Sequence, residues 1–313
     1  ALSAIAMGVQ EQPFIPDQSN SWAFDPTGDP FAPSPIDLRF LNEATAGASG
    51  FVRVAPDGRT LLRGDGKPLR FWATHAMIPH AWSETQAWTH ARFLARLGVN
   101  LVRTGAIMKP APGQPDINRP DAEDLRQIWR TVAYMKAQGI YTMISPAWLH
   151  DGFTQDPGIE GYGPNENLYN VMFVEPKLQA AYKAWIKELY TATNPYTGVA
   201  LKDEPAVIAL EVFNEDTMLF FTFDGLKGGP LRTLQQRFGA WAAQRYGALD
   251  KALAAWRNVG AQGDDLPAGR LGFMTWWFAT EEGRRVVPSV ARFSDQLRFI
   301  AELQRAFHAD MKR

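Results

Sequence analysis

Four times between residues 69 and 216 the chain runs through a short apolar stretch that breaks off in polar residues, with a helical stretch between successive runs. The runs are Leu69 to Thr74, VNLVRTG from Val99, IYTMISPAW from Ile140 and AVIALEVF from Ala206. Strands this apolar on both faces belong in a parallel sheet covered by helices, because a half-exposed sheet would alternate with polar residues. The stretches between them carry helix signals. Ser83 and Gln86 have capping-box spacing, and a helix is expected from there to Gly98. Pro120-Asp121 open a second helix, with Leu125, Ile128, Trp129, Val132 and Met135 on one face and Gly139 at its end. A third starts at Pro176 and presents Leu178, Tyr182, Trp185, Ile186 and Leu189 together.

Polar and aromatic residues gather where each strand ends: Thr74-His75, Arg103-Thr104, Ser145 to His150, and Asn214-Glu215-Asp216. In a (β/α)8 barrel the chemistry sits at that rim, and in a doubly wound sheet the ligand crevice also lies there. No glycine-rich phosphate loop follows the first strand, which favours the barrel. The expected fold class is therefore α/β, a (β/α)8 TIM barrel. Residues 1–50, rich in Pro, Asp, Ser and Gly, read as an irregular arm over the surface. Pro56-Asp57-Gly58 and Gly64-Asp65-Gly66 punctuate a hairpin that feeds the strand from Leu69.

Charge narrows the partners. With 32 basic and 33 acidic residues the net charge is −1, so nothing draws the chain to nucleic acid or to an anionic membrane. No apolar run is long enough to span a bilayer. The absence of cysteine excludes disulfides and thiolate metal sites, the histidines lack metal-binding spacing, and no HExxH occurs, so no metal or cofactor is expected. Eleven tryptophans suit either stacking on sugar rings or filling a core. Ala4-Ile5-Ala6 has the form of a signal-peptide end, from which a secreted or periplasmic location is expected.

The order LRFWATH, GVNLVRTG, YTMISPAWLH and ALEVFNED resembles the (β/α)8 retaining glycoside hydrolases of clan A, nearest to family 5-like and family 42-like enzymes, over roughly residues 69–216. The resemblance implies that Glu215 is the general acid/base, that Asn214 holds a sugar 2-hydroxyl, and that Arg103 supports the nucleophile. The residue types suit that chemistry. Retaining hydrolysis uses two carboxyl groups about 5–5.5 Å apart, one protonated and one ionised. A glutamate on an apolar strand end beside a second carboxylate is the kind whose pKa rises towards the working pH. His75, His80 and His150 are candidates to line sugar subsites, and Trp148 to stack on a sugar face. Glu211, four residues before Glu215, is expected to face the barrel interior and pair with a cation such as Arg103.

The implied nucleophile, a second glutamate at the end of a seventh strand, has no counterpart here. After Asp216 the chain reads as helices: LRTLQQRFGAWAAQRYG, ALDKALAAWRN, and a long one from Pro288 to the end with Val290, Phe293, Leu297, Ile300 and Leu303-Phe307 on a face. LGFMTWWFA suits helix or strand. Residues 51–313 are thus expected to be the N-terminal part of the barrel, its first four strands with a helical insertion over 217–313. The remainder is expected from a separate chain or a missing segment. Glu281 in ATEEG is a rival nucleophile in a shortened fold. Phe220 and Phe221 are expected in the core and Trp276-Trp277 in structural roles. The leading function is a retaining β-glycoside hydrolase acting on β-glucan, cellulose or mannan. The alternative is a carbohydrate-binding pseudoenzyme or scaffold half that keeps the aromatic rim without catalysis.

Overall fold

The computed structural model describes residues 17, 19, 31–33, 37–105 and 107–312. Ala4-Ile5-Ala6 and much of the expected arm lie outside the described residues. The hairpin region forms a three-stranded antiparallel sheet of β1 (Arg53–Val54), β2 (Leu61–Leu62) and β3 (Pro68–Leu69). Asp57 closes its first turn by accepting from the amides of Arg59 and Thr60 at 2.8 and 2.9 Å, the local bonding that makes Asp a turn residue.

The run expected as one strand from Leu69 to Thr74 is two. β3 ends at Leu69, and β4 (Ala73–His75) opens a different, parallel sheet. Asn100 explains the break. Its side chain accepts from the Trp72 amide at 2.8 Å and donates to the Arg70 carbonyl at 2.9 Å. Those backbone groups, satisfied by a side chain, need no ladder partner, so the chain changes sheets without leaving them bare.

Three β–α steps follow: α1 (Glu84–Arg96), β5 (Leu101–Thr104), α2 (Ala122–Lys136), β6 (Tyr141–Ile144), α3 (Pro176–Thr191) and β7 (Val207–Leu210). Ser83 and Gln86 make the expected capping box, Asp121 caps α2, and Pro176 occupies the first turn of α3. Gly139, at φ +73°, ends the turn after α2, where a side chain would strike the Glu43 carbonyl. The four strands lie parallel in the order β4-β5-β6-β7. Val102, Thr104 and Ile144 are buried; Val102 packs with Ala91 and Leu94 of α1 and Met135 of α2. His75, Arg103, Met143 and Ala209 stand side by side in register on the opposite face, where none is fully buried. Among the described residues the sheet does not close into a barrel: β4 and β7 are its two edges.

Residues 37–50 run across the N-terminal ends of these strands, where Leu38 and Ala46 donate to the last carbonyls of α1 and α2 and Glu43 accepts from the Tyr141 hydroxyl. The strand ends on the other side stay open. Beyond β7 come α4 (Gly228–Tyr246), α5 (Leu249–Ala255), α6 (Glu281–Val286) and α7 (Val290–Met311). Val290 is exposed, while Phe293, Ile300 and Phe307 form the buried stripe of α7. Phe173, Phe213 and Phe307 meet with ring centroids 5.0–5.7 Å apart, so the helical part shares one core with the sheet layer.

LGFMTWWFA is neither helix nor strand apart from a short 3-10 turn at Trp276–Ala279. Side chains take over its backbone bonds: Gln296 holds both the amide and the carbonyl of Met274, and Arg292 donates to the Gly272 carbonyl. Phe220 and Phe221, expected in the core, are about half exposed on the turn after β7, packed edge to face on each other at 5.6 Å. Trp276 is buried and Trp277 is exposed. No helix among the described residues is long and apolar enough to cross a membrane.

Candidate active site at the strand ends

The parallel register alone brings His75, Arg103 and the residues after β6 and β7 to one edge of the open face. Arg103 organises the floor. Its Nε donates to Glu211 Oε2 at 3.1 Å, and its Nη2 reaches the same carboxylate, Asn214 Oδ1 at 2.6 Å and Ser145 Oγ at 3.0 Å. Ser145 in turn donates to Glu211. Glu211 thus takes the cation that the sequence suggests for it. A guanidinium has donors only, so the atom of Asn214 that meets it must be the oxygen. The Asn214 Nδ2 hydrogens are then turned away from Arg103, and among the described residues they have no acceptor. Asn214 is 6% exposed, and its own amide is fixed to the Ala147 carbonyl at 2.9 Å.

Above this floor stands a row of rings. His75 stacks on Trp148 at 6.2 Å with 28° between planes, Trp148 neighbours His150 at 5.9 Å, and His150 neighbours Tyr169 at 6.1 Å. The Arg103 guanidinium carbon lies 5.7 Å from the Trp148 ring centre, and Trp148 Nε1 donates to Ser145 at 3.3 Å. The row has this spacing because residue 105 is glycine: a Cβ there would lie 2.5 Å from His75 Nε2 and 3.1 Å from Trp148. His150 Nε2 lies 3.1 Å from Asp151 Oδ1, and Asp151 lies 3.5 Å from Lys109. His150 Nδ1 is buried with no partner.

Glu215 sits at the turn beside this floor with φ +48°, in the left-handed region. That conformation costs a side-chain-bearing residue roughly 1–2 kcal/mol and is concentrated at functional sites. The turn sends its neighbours inward and Glu215 outward. Asn214 is buried, Glu215 is exposed, and Asp216 binds the Asn170 amide through both oxygens at 2.9 and 3.0 Å. Burial pushes the Asp216 carboxyl up to about 7, against the Asn170 amide, which favours the ionised form. Tyr169 has its phenol pushed up by burial first, then by the charges of Glu215, Asp216 and Asp151.

The structure gathers His75, Arg103, Trp148, His150 and Asn214 into one constellation, with Glu215 on the adjoining turn. His80 lies apart from the row, 3.7 Å from Glu123 at the start of α2. Glu281 is the first residue of α6 and pairs with Arg285 on an exposed helix surface. Tyr169 is the member that pattern reading does not find, since it lies in the Asn-rich loop NENLYNVMF, where no periodicity marks it. Among the described residues no group of three or more His, Cys, Asp or Glu is placed to hold a metal ion.

No protein-family model and no curated protein matches the chain. Among solved structures it is similar to the endo-1,4-β-mannanase from Rhizomucor miehei, with 17% identity, 71% of this chain and 66% of that chain covered, and a TM-score of 0.42. It is also similar to a glycoside hydrolase family 5 mannosidase from the same organism, with 13% identity, 64% and 53% coverage, and a TM-score of 0.39. A third is the endo-β-1,4-mannanase from Thermotoga petrophila, with 16% identity, 57% and 41% coverage, and a TM-score of 0.36. The chain spans between 41% and 66% of the length of these structures.

Proposed function

We propose that this chain carries the acid/base half of a retaining β-glycoside hydrolase acting on β-linked polysaccharides of the glucan, cellulose or mannan type. The observation that carries the reading is the Arg103–Asn214 contact at 2.6 Å. It fixes an amide with its donors free beside the left-handed turn at Glu215, under a wall of four rings. Neutral N–H donors accept no proton and repel no hydroxyl, so they suit a sugar hydroxyl oxygen, while aromatic rings suit the apolar face of a pyranose. Glu215 donates its carboxylic proton to the glycosidic oxygen as the C1–O bond breaks. In the second half of the reaction it takes a proton from the water that attacks C1. The nucleophile is a carboxylate from outside these residues. The edges β4 and β7 offer unpaired backbone groups through which the sheet continues into a (β/α)8 barrel, with further strands from a missing segment or a separate chain. On this reading 217–313 is a helical insertion, and the enzyme meets its polymer outside the cell or in the periplasm.

The test is Glu215→Gln in the completed enzyme, with the remaining strands present, assayed on two substrate classes. Hydrolysis of β-mannan or β-glucan, with poor leaving groups, falls by about 10²–10⁴-fold. Release of dinitrophenol from an aryl glycoside needs no protonation in the first step and is far less affected, and added azide restores turnover by replacing the base-assisted water. Equal loss on both classes removes Glu215 from the role.

One observation favours the alternative. Glu211, the carboxylate in the floor, has its Oε2 bound by both Arg103 and Ser145, which holds it there as a counter-charge to the guanidinium. A carbohydrate-binding protein without catalysis needs only the rings and Asn214. Oligosaccharide binding with no reducing ends released marks that outcome.

A further inference from the structure

A cleft of about 660 Å³ opens in the helical part of the chain, within the usual range for small-molecule sites of roughly 300–1,000 Å³. Phe223, Asp224, Gln235, Gln262, Phe273 and Phe278 are among the residues that line it. Gln235, on α4, is only 8% exposed, and among the described residues its amide has no hydrogen-bond partner. Gly263, at φ +90°, lets the loop pass against that amide, since a Cβ there would sit 2.5 Å from Gln235 Nε2. The amide is therefore left to water or to a ligand in the cleft.

The adjoining segment, residues 272–276, is held rigid. Arg292 donates to the Gly272 carbonyl at 2.8 Å, Gln296 holds Met274 by both backbone groups, and Asp224 accepts from the Thr275 hydroxyl at 2.7 Å and the Trp276 amide at 3.0 Å. These three side chains clamp residues 272, 274, 275 and 276 and fix the cleft before anything enters it, which lowers the ordering cost of binding.

The lining states the ligand's chemistry. It contains no Lys, Arg or His and a single carboxylate, Asp224, so an anion is repelled. Asp224 already accepts hydrogen bonds on both oxygens, so it is not a bare counter-charge for a cation. A purely apolar guest would leave Gln235 unpaired. Phe223 and Phe273, packed edge to face at 5.1 Å, line the same cleft as an amide with both donors and an acceptor. We propose that this cleft is a second binding site, for a neutral, hydroxyl-rich ring such as one unit of an uncharged oligosaccharide. It is built from residues other than the strand-end constellation and binds without Glu215 or Asn214.

The test is hydrogen exchange of the full chain with mannobiose, cellobiose or xylobiose at millimolar concentration, and with digalacturonate as the charged comparator. The expected result is slowed amide exchange at 260–263 and 273–278 with at least one neutral disaccharide and none with digalacturonate. Unchanged exchange in those segments with all three neutral sugars overturns the proposal, as does equal protection by the charged one. Titration calorimetry then compares variants. Gln235→Leu weakens the site about tenfold or more, the loss of one well-placed hydrogen-bonding group. Gln235→Glu, which keeps the shape and removes the donors, gives the same loss if Gln235→Leu disturbs folding. Wild-type affinity in both Gln235 variants rejects the site. Because the protected segments and Asn214 lie apart, a strand-end site that fails to hydrolyse glycosides leaves this result standing.

Discussion

Arg103 Nη2 lies 2.6 Å from Asn214 Oδ1 and also serves the Glu211 carboxylate and, at 3.0 Å, the Ser145 hydroxyl. One planar guanidinium on β5 thereby fixes side chains from the ends of β6 and β7 at once, and it is the geometry of the fork, more than its charge, that orients the Asn214 amide.

Arg103→Lys keeps the charge and loses the fork. An ammonium cannot hold Glu211 and Asn214 in their present relation, so the Asn214 amide loses its fixed orientation. Oligosaccharide hydrolysis, measured as kcat/KM, is expected to fall by about 10–100-fold, the worth of one or two charge-assisted hydrogen bonds. Glu211→Gln acts on stability instead. It leaves a partly buried guanidinium without its counter-charge, and urea unfolding should show a loss of about 1–3 kcal/mol. An unchanged midpoint in Glu211→Gln means that solvent already screens the pair.

How much of this was legible before the structure depends on what sets each feature. The Ser83 box, the Asp121 cap and Pro176 are local, written within four residues, and the helices start where those signals stand. The pairing of Arg103 with Glu211 follows from parallel register and the cost of an unpaired inward carboxylate, and is readable for that reason. Trp72 and LGFMTWWFA are different. Asn100, 28 residues on, decides that the first strand breaks, and Gln296, 22 residues on, decides that Met274 joins no ladder. Tyr169 belongs to the same class, since only the packed loop brings it to His150. The outward turn of Glu215 reflects a backbone angle that no residue pattern around it announces.

Gly105→Ala tests the ring row without touching a polar group. The new methyl would lie 2.5 Å from His75 Nε2 and 3.1 Å from Trp148, so the two rings must part. Global stability changes little, because His75 is exposed and free to swing. The near-ultraviolet circular dichroism of Trp148 should change, and affinity for a neutral oligosaccharide should fall by about 1–2 kcal/mol, a stacking contribution. Full affinity in the alanine variant takes the row out of the binding surface.

Asp216 makes stability depend on pH with a definite sign. Burial pushes its carboxyl up to about 7 in the folded chain, against about 3.9 when unfolded. Between those values the folded state holds a proton that the unfolded state has released, so stability falls as pH rises from about 4 to 7 and then levels. The slope is at most about 1.4 kcal/mol per pH unit for one group. Asp124, pushed up to about 6 mainly by burial, adds the same sign over a narrower window. Asp216→Asn removes the first contribution. Urea midpoints at pH 4.5, 6 and 7.5 should therefore converge in the variant relative to the native chain. Parallel curves for the two proteins refute the assignment.

Glu215→Gly sets conformation against chemistry. The native backbone holds a glutamate at φ +48°, where glycine sits without Cβ strain. Removing the side chain relieves roughly 1 kcal/mol in the folded state, partly offset by the greater freedom of an unfolded glycine, so the variant should be as stable as the native chain or up to about 1 kcal/mol more stable. Hydrolysis of polymeric substrate should be lost at the same time, because the exposed carboxyl assigned to protonate the leaving oxygen has gone, while Asp216 beside it is tied to the Asn170 amide. Glu215→Ala keeps the strain and loses the acid, so it separates the two effects: equally inactive, and less stable than the glycine variant. If glycine and alanine melt alike, the left-handed angle carries no strain worth relieving. If either variant hydrolyses polymer at the native rate, the strained turn serves something other than proton transfer.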